Sequence, residues 1–200
     1  MSKYRKQMKA WIESNRPFSA AEIRAAGIPS QVLVELQRQG IVERISRGVY
    51  LSATAESTEN LSLQIASLKV PNAVICLLSA LRFHNFTTQL PHEIYLAIRS
   101  HSWIPHIDSP EVRIFALTEA PFQYGIEEHD VDGVKLKVYS AAKTVADCFK
   151  FRNKIGLDVA LEALREGHRQ KLFSVSELMN AAKICRVTKV ITPYLESMFS

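Results

Sequence analysis

The sequence predicts an α+β fold in two parts, and three observations predict it. Two short helical patterns and a hairpin pattern occupy the first 52 residues. Four segments of strand composition then lie between residues 93 and 139, and helical periodicity returns from there to residue 200. Strands that are grouped together, rather than alternating with helices, are typical of an α+β fold with a mostly antiparallel sheet. We therefore expect an N-terminal domain at residues 1–52 and a larger α+β domain at residues 53–200.

The first domain is organised around two short helices. Ser19 and Glu22 form an S-x-x-E capping box, which predicts that a helix begins there. Gly27 adopts left-handed backbone angles at low cost and Pro29 cannot continue a helix, so residues 26–29 are the predicted turn. Ser30 is then expected to cap a second helix that ends near Gly40.

A short hairpin is predicted directly after the second helix. The run IVERI and the run VYL have strand composition, and Ser46, Arg47 and Gly48 form a tight turn between them. Before the pair of helices, residues 3–14 place apolar side chains on one helical face, namely Tyr4, Met8, Trp11 and Ile12. Three helices and a basic hairpin in this order predict a winged helix-turn-helix.

This motif predicts which side chains contact DNA. The major groove admits one α-helix and displays the donors and acceptors that distinguish base pairs, so polar groups of the second helix read bases. We expect this role for Ser30, Gln31 and Arg38. Arg44 and Arg47 on the hairpin are expected to bind phosphates or the minor groove. The alternative is a small helical domain that docks other proteins.

The first helix adds cations whose role stays open. Lys6 and Lys9, with Lys3 and Arg5, lie largely off its apolar face. These cations either contact phosphates or form a solvated face. The distribution of charge along the chain favours a polyanionic partner. Residues 1–52 contain nine Lys or Arg and four Glu, whereas residues 53–200 have no net charge.

The cysteine content and the lengths of the apolar runs indicate the cellular compartment in which we expect the protein. The three cysteines are an odd number, are widely separated and form no CxxC pair, which is typical of a reducing cytoplasm. No run of about 18 apolar residues is present, so we expect neither membrane insertion nor secretion.

In the second domain, we expect helices both before and after the group of strands along the chain. The run AVICLLSALRFHNF is apolar on nearly every side and predicts a central buried helix. Asp132-Gly133 predicts a type I′ hairpin between two strands, since such a turn needs positive φ at both positions. Ser174 and Glu177 predict another capped helix in the tail.

Catalytic and metal sites lack a sequence signature. His92, His101 and His106 flank predicted strands without the spacing of a dedicated metal site. Asp130 and Asp132 are explained by the hairpin turn, and neither a Gly-rich phosphate loop nor a Gly-Ser strand-turn motif accompanies them. We therefore expect no enzyme activity, no metal and no cofactor.

A group of charged residues on one later helix has two interpretations. Lys143 and Asp147 lie at i and i+4, and Lys150 and Arg152 follow them. The favoured interpretation is an ion pair on a solvated helix surface. The alternative is a polar cluster that faces the sheet and forms a binding site.

Three segments resemble the AbiEi family of abortive-infection antitoxins. They are AEIRAAGI to SRGVYL, then VPNAVICLLSALRFHNFTTQLPHEIYLAI, and then VDGVKLKVYSAAKTVADCFKFRNKIGLDVALEAL. The resemblance implies a winged domain that binds inverted repeats upstream of its own operon and represses it. It also implies a C-terminal domain that neutralises a nucleotidyltransferase toxin encoded beside it.

By implication Gln31, Arg38, Arg44 and Arg47 carry the operator contacts, and the helix from Lys143 to Arg152 belongs to the antitoxin domain. Because one helix spans only a half-site, we expect two copies on the inverted repeat, with half-sites separated by whole turns of about 34 Å. The alternative function is a stand-alone, ligand-responsive transcriptional regulator without a toxin partner.

Overall fold

A computed structural model describes residues 2–87, 89, 91–104 and 107–198. The N-terminal helices and strands are α1 (Ser2–Glu13), β1 (Phe18–Ser19), α2 (Ala20–Ala25), α3 (Ser30–Arg38), β2 (Val42–Ser46), β3 (Val49–Ser52) and α4 (Leu61–Lys69). Strand β3 lies between β1 and β2 in an antiparallel sheet, with Phe18 opposite Tyr50 and Val42 opposite Ser52. These elements form the predicted winged helix-turn-helix.

The first capping box is formed as predicted. Ser19 Oγ accepts from the Glu22 amide at 3.1 Å, and Glu22 Oε2 accepts from the Ser19 amide at 2.7 Å. Gly27 adopts a φ of +76° in the turn before α3. The predicted cap at Ser30 is wrong, because Pro29 is the N-cap residue in an extended conformation and Ser30 is already helical. The rigid proline starts this helix without a side-chain cap.

The remaining elements follow in order. They are β4 (Val74–Ile75), α5 (Leu77–Phe83), β5 (Ile94–Arg99), β6 (Val112–Leu117), α6 (Glu119–Gln123), β7 (Ile126–Val131), β8 (Val134–Tyr139), α7 (Ala141–Lys150), α8 (Arg152–Ile155), α9 (Leu157–Arg169), α10 (Val175–Cys185) and α11 (Thr188–Glu196). The five strands form one sheet in the order β6-β5-β4-β8-β7. The predicted α+β class is confirmed.

Two expectations for this sheet need correction. The expected long helix at residues 73–86 starts instead as strand β4, and only residues 77–83 are α-helical. A short apolar run cannot distinguish a buried strand from a buried helix, and the β-branched pair Val74 and Ile75 favours the strand. Strand β4 adds a fifth strand and pairs in parallel with β8 through Ile75 and Val138, while it pairs antiparallel with β5.

The predicted local signals of the later chain are present. Asp132 and Gly133 both have positive φ, 50° and 80°, and Asp130 Oδ1 accepts from the Gly133 amide at 2.8 Å. Ser174 and Glu177 cap α10 reciprocally. Helix α5 is buried from Leu77 to Leu81, as predicted, and in α7 every residue from Ala141 to Phe149 is buried as well.

The described chain divides into two compact units. The first contains residues 1–72, 103–112 and 129–136, and the second contains residues 73–102, 113–128 and 137–200. The first unit thus includes α4, a loop from the middle of the sequence and the tip of the β7–β8 hairpin, in addition to the winged motif. Its core is formed by Met8, Phe18, Ile23, Ile28, Leu33, Leu36 and Val42. The boundary expected after residue 52 stays a prediction.

Candidate nucleic-acid interface

The exposed face of α3 is the first part of the candidate interface. Leu33 and Leu36 are buried on the opposite face and hold the helix against the core of the first unit. Gln31, Val34 and Arg38, at i, i+3 and i+7, lie on the exposed face. Ser30 is exposed at the start of the same helix. The structure therefore places all three predicted base-reading residues in solvent.

Arg38 is held by a carboxylate of its own helix. Its Nε donates to Glu35 Oε2 at 3.1 Å and its Nη2 donates to Glu35 Oε1 at 2.9 Å. These hydrogen bonds lower the pKa of Glu35. Because a guanidinium has five N–H donors, Arg38 retains donors for a guanine edge while it neutralises a carboxylate that would otherwise repel phosphates.

Val34 is a residue of this face that sequence reasoning missed. Its side chain is 65% exposed, although valine is usually buried. An apolar side chain on a major-groove helix can contact the methyl group of thymine. The signal that could have found it is its position, since Val34 lies off the stripe formed by Val32, Leu33 and Leu36.

The wing presents the second set of predicted contacts. Arg44 on β2 and Arg47 in the turn are both exposed, and Gly48 has a φ of +77° in that turn. Neither arginine forms an ion pair with a residue that the structure describes. Both cations are therefore available to an anion outside the chain.

A β-bulge sets the directions of the β2 side chains. Arg44 is opposite Tyr50 and Ser46 is opposite Val49, so the extra residue of the bulge is Ile45. Successive residues of β3 point to opposite faces of the sheet. Arg44 consequently points away from the face on which Ser46 is buried.

Two lysines of α1 are exposed, but one of them pairs with a carboxylate of the same helix. Lys6 and Lys9 are both exposed, and Met8 between them is fully buried. Lys9 Nζ lies 3.4 Å from Glu13 Oε1, and both side chains are largely exposed. An exposed pair of this kind is weak, so both roles predicted for these lysines stay open.

The expectation of a surface ion pair on α7 is wrong. Lys143 and Asp147 are 0% and 1% exposed and form a hydrogen-bonded ion pair inside the second unit. Asp147 Oδ1 also accepts from Cys185 Sγ at 3.3 Å, and Lys143 Nζ lies 4.0 Å from the centre of the Tyr139 ring. Burial raises the pKa of Asp147, and Lys143 opposes this shift.

Lys150 and Arg152 differ from the buried pair in their environment. Both are half-buried, and Arg152 Nη1 donates to the Phe149 carbonyl at 2.8 Å. The four charged residues therefore do not form one surface cluster. Only Lys150 and Arg152 are accessible in part to another molecule.

The described residues include no cluster of metal ligands and no exposed thiol. Within them no group of three His, Cys, Asp or Glu side chains could hold a metal ion, and His106 lies outside the described residues. All three cysteines are buried, and burial raises the pKa of each thiol. No described helix has the length and apolar character needed to cross a bilayer.

Known proteins give an independent comparison. Residues 6–53 match the family model described as "Transcriptional regulator, AbiEi antitoxin". The resemblance to AbiEi is thereby confirmed for residues 6–53, whereas the other two segments that resemble AbiEi lie outside the match. The matched AbiEi segment contains α3 and the wing, which carry the exposed arginines described above. No curated protein sequence matches the chain.

A solved structure shows the same fold. The chain is similar to the crystal structure of the RV2827C protein from Mycobacterium tuberculosis, with a TM-score of 0.56 and 13% sequence identity. The match covers 84% of this chain and 66% of that one, so the chain spans slightly less than two thirds of the length of that protein. At this identity the likeness concerns the fold alone.

Replacing Gln31 by Ala is expected to reduce base preference without changing the electrostatic part of DNA binding. A side-chain amide on a major-groove helix discriminates against a wrong base by about 1–3 kcal/mol, and it carries no charge. Binding to a set of duplexes with single base changes measures the effect. Val34→Ala is the matched test for a thymine methyl contact. Equal weakening of all duplexes would contradict the assignment of α3 as the reading helix.

Proposed function

We propose that this chain is a DNA-binding transcriptional repressor of its own operon and the antitoxin of a toxin–antitoxin system. One observation carries the proposal for DNA. The AbiEi-type segment exposes Gln31 and Arg38 on α3 and Arg44 and Arg47 on the wing, with the excess positive charge of the chain in residues 1–52. Such an arrangement fits one major groove and the phosphates beside it.

The proposed operator is an inverted repeat in the promoter of the chain's own operon. Two copies of the protein would bind it, one on each half-site, because a single α3 spans only a few base pairs. Anisotropy titration of the full chain with duplexes from the upstream region tests this proposal. We expect tight binding that weakens steeply with salt. Absent or salt-insensitive binding contradicts it.

The proposed antitoxin role rests on the AbiEi match and on the accessible cations of the second unit. A nucleotidyltransferase toxin encoded by the next gene downstream is the proposed functional partner. The buried Lys143–Asp147 pair cannot contact a toxin in the folded state, so we assign any direct contact in this segment to Lys150 at the end of α7 and Arg152 at the start of α8. The proposed activity is non-enzymatic.

Co-expression of the downstream gene with the full chain is expected to restore growth. The toxin is expressed from an unrelated promoter, so that repression of the natural operon cannot explain rescue. Arg44→Ala with Arg47→Ala should still rescue, because these variants affect only DNA binding. Lys150→Ala with Arg152→Ala should lose rescue while circular dichroism shows a folded protein. Loss of rescue in the wing variant would contradict the assignment of protection to the second unit, because the unrelated promoter excludes repression as the cause.

A further inference from the structure

The first unit contains a cleft beside the wing. It has a volume of about 490 Å³ and is lined in part by Arg24 of α2, Arg47 of the wing, Lys69 of α4 and Trp103. No Asp or Glu occurs among the described residues that line it. The cleft therefore combines three basic side chains with one aromatic ring.

Two of these cations are available to a ligand. Arg24 and Arg47 are exposed, and neither pairs with a described carboxylate. Lys69 differs, because its side chain is only 6% exposed and its ammonium group binds the carboxylate of Asp108. The net positive charge of the cleft consequently comes from the two arginines, and it complements a polyanion.

Two residues that follow Trp103 in the sequence, Asp108 and Ser109, form hydrogen bonds to α4 and to the wing. Ser46 Oγ on β2 donates to the Ser109 carbonyl at 2.6 Å and accepts from Lys69 Nζ at 2.7 Å. The Lys69 ammonium also donates to the Asp108 carboxylate, and this second bond lowers the pKa of Asp108 from 3.8 to about 2. The ion pair between Lys69 and Asp108 is therefore lost as the pH falls from about 4 towards 2, whereas the bond from Ser46 to the Ser109 carbonyl does not titrate.

Trp103 is unusually accessible for its size. Its side chain is 82% exposed, and the adjacent Ile104 is 40% exposed. A large apolar side chain in water is unfavourable, and tryptophan is enriched where proteins bind partners. An aromatic ring that lines the same cleft as two unpaired arginines fits a partner with flat bases or sugars between phosphates, which is the chemistry of duplex DNA.

We propose that Trp103 is a second DNA-contacting element, which enters the minor groove beside the wing while Arg24 and Arg47 bind the flanking phosphates. Apolar side chains inserted into the minor groove unstack base steps and bend the duplex, and cations next to them secure the backbone. This inference rests on the proposed DNA binding and adds a loop from the middle of the sequence to the interface.

The test uses the full chain and a duplex that contains its upstream inverted repeat. Trp103→Ala is expected to weaken binding about tenfold without changing the dependence on salt, because no charge is removed. Trp103→Phe should retain most of the affinity. Leu172→Ala is the matched control, since Leu172 is an exposed apolar residue of the second unit.

A spectroscopic readout separates direct contact from an indirect effect. Acrylamide quenches the fluorescence of an exposed tryptophan, and subtraction of the Trp103→Phe signal removes the contribution of Trp11. We expect Trp103 to be accessible in the free protein and protected in the complex. Binding within twofold of wild type in Trp103→Ala, together with unchanged accessibility, overturns the inference and leaves the proposed function standing.

Two further outcomes also overturn it. Protection of Trp103 at high protein concentration without DNA would show that a second copy occupies the cleft. Absence of duplex binding by the unmodified full chain would refute the proposed function as well. The titration of the wild-type protein alone identifies this outcome.

Discussion

Replacing Asp147 by Asn is expected to lower the free energy of unfolding by about 3–5 kcal/mol, because the change leaves a buried ammonium without its counterion. Lys143 is 0% exposed, and its described partners are the Asp147 carboxylate and the face of the Tyr139 ring. Asparagine has nearly the shape of aspartate, so packing is preserved and the loss reports the charge. Urea denaturation followed by circular dichroism measures the change in midpoint.

The double variant Lys143→Met with Asp147→Leu is the informative control. Replacing a whole buried ion pair by apolar side chains is often neutral or stabilising, whereas removing one partner is costly. We therefore expect the double variant to recover most of the stability lost in Asp147→Asn. Glu13→Gln breaks the exposed Lys9 pair and should leave the midpoint unchanged. A loss below about 1 kcal/mol in Asp147→Asn would contradict the assignment of a buried ion pair that stabilises the fold.

Removing both wing arginines should weaken operator binding on the order of 50-fold at about 0.1 M salt. Each phosphate neutralised contributes about 0.9 to the slope of log K against log salt, so Arg44→Ala with Arg47→Ala should reduce that slope by about two. Titration of the full chain at several salt concentrations gives both quantities. The loss should be similar for specific and non-specific duplexes, since phosphates carry no sequence information.

Arg165→Ala with Lys189→Ala controls for net charge. Both residues are exposed cations of the second unit, and their removal lowers the charge of the chain by the same amount. We expect this variant to keep the wild-type slope. An equal reduction in both double variants would show that the overall charge of the protein, rather than the wing, attracts DNA.

Signals that act over a few residues could be predicted from the sequence. The reciprocal caps at Ser19 and Ser174 and the turn at Asp132-Gly133 depend on side chains within three residues of each other, and all are formed. The winged motif is a succession of such signals, which explains why α3 and the wing arginines could be identified. Their exposure is confirmed by the structure, and their contact with DNA stays a prediction.

Features that depend on distant packing could not be predicted. A Lys–Asp pair at i and i+4 has the same sequence pattern on a solvent-exposed helix face and on a buried one. The elements that pack against α7 determine which of the two environments the pair has. The loop that carries Trp103 reaches the wing through a bond between Ser46 and Ser109, which are 63 residues apart. Strand β4 has only two residues, which are too few to predict a strand from the sequence. It is identified by its pairing with β5 and β8 in the structure.

The bulge at Ile45 constrains how this wing can vary among related proteins. With the extra residue, Arg44 and Ser46 point to opposite faces of the sheet, one towards solvent and the other towards the loop that it binds. A single inserted or deleted residue in β2 would exchange these faces, since side chains alternate with a period of two. Length changes in the wings of relatives that keep both contacts are therefore expected to occur two residues at a time.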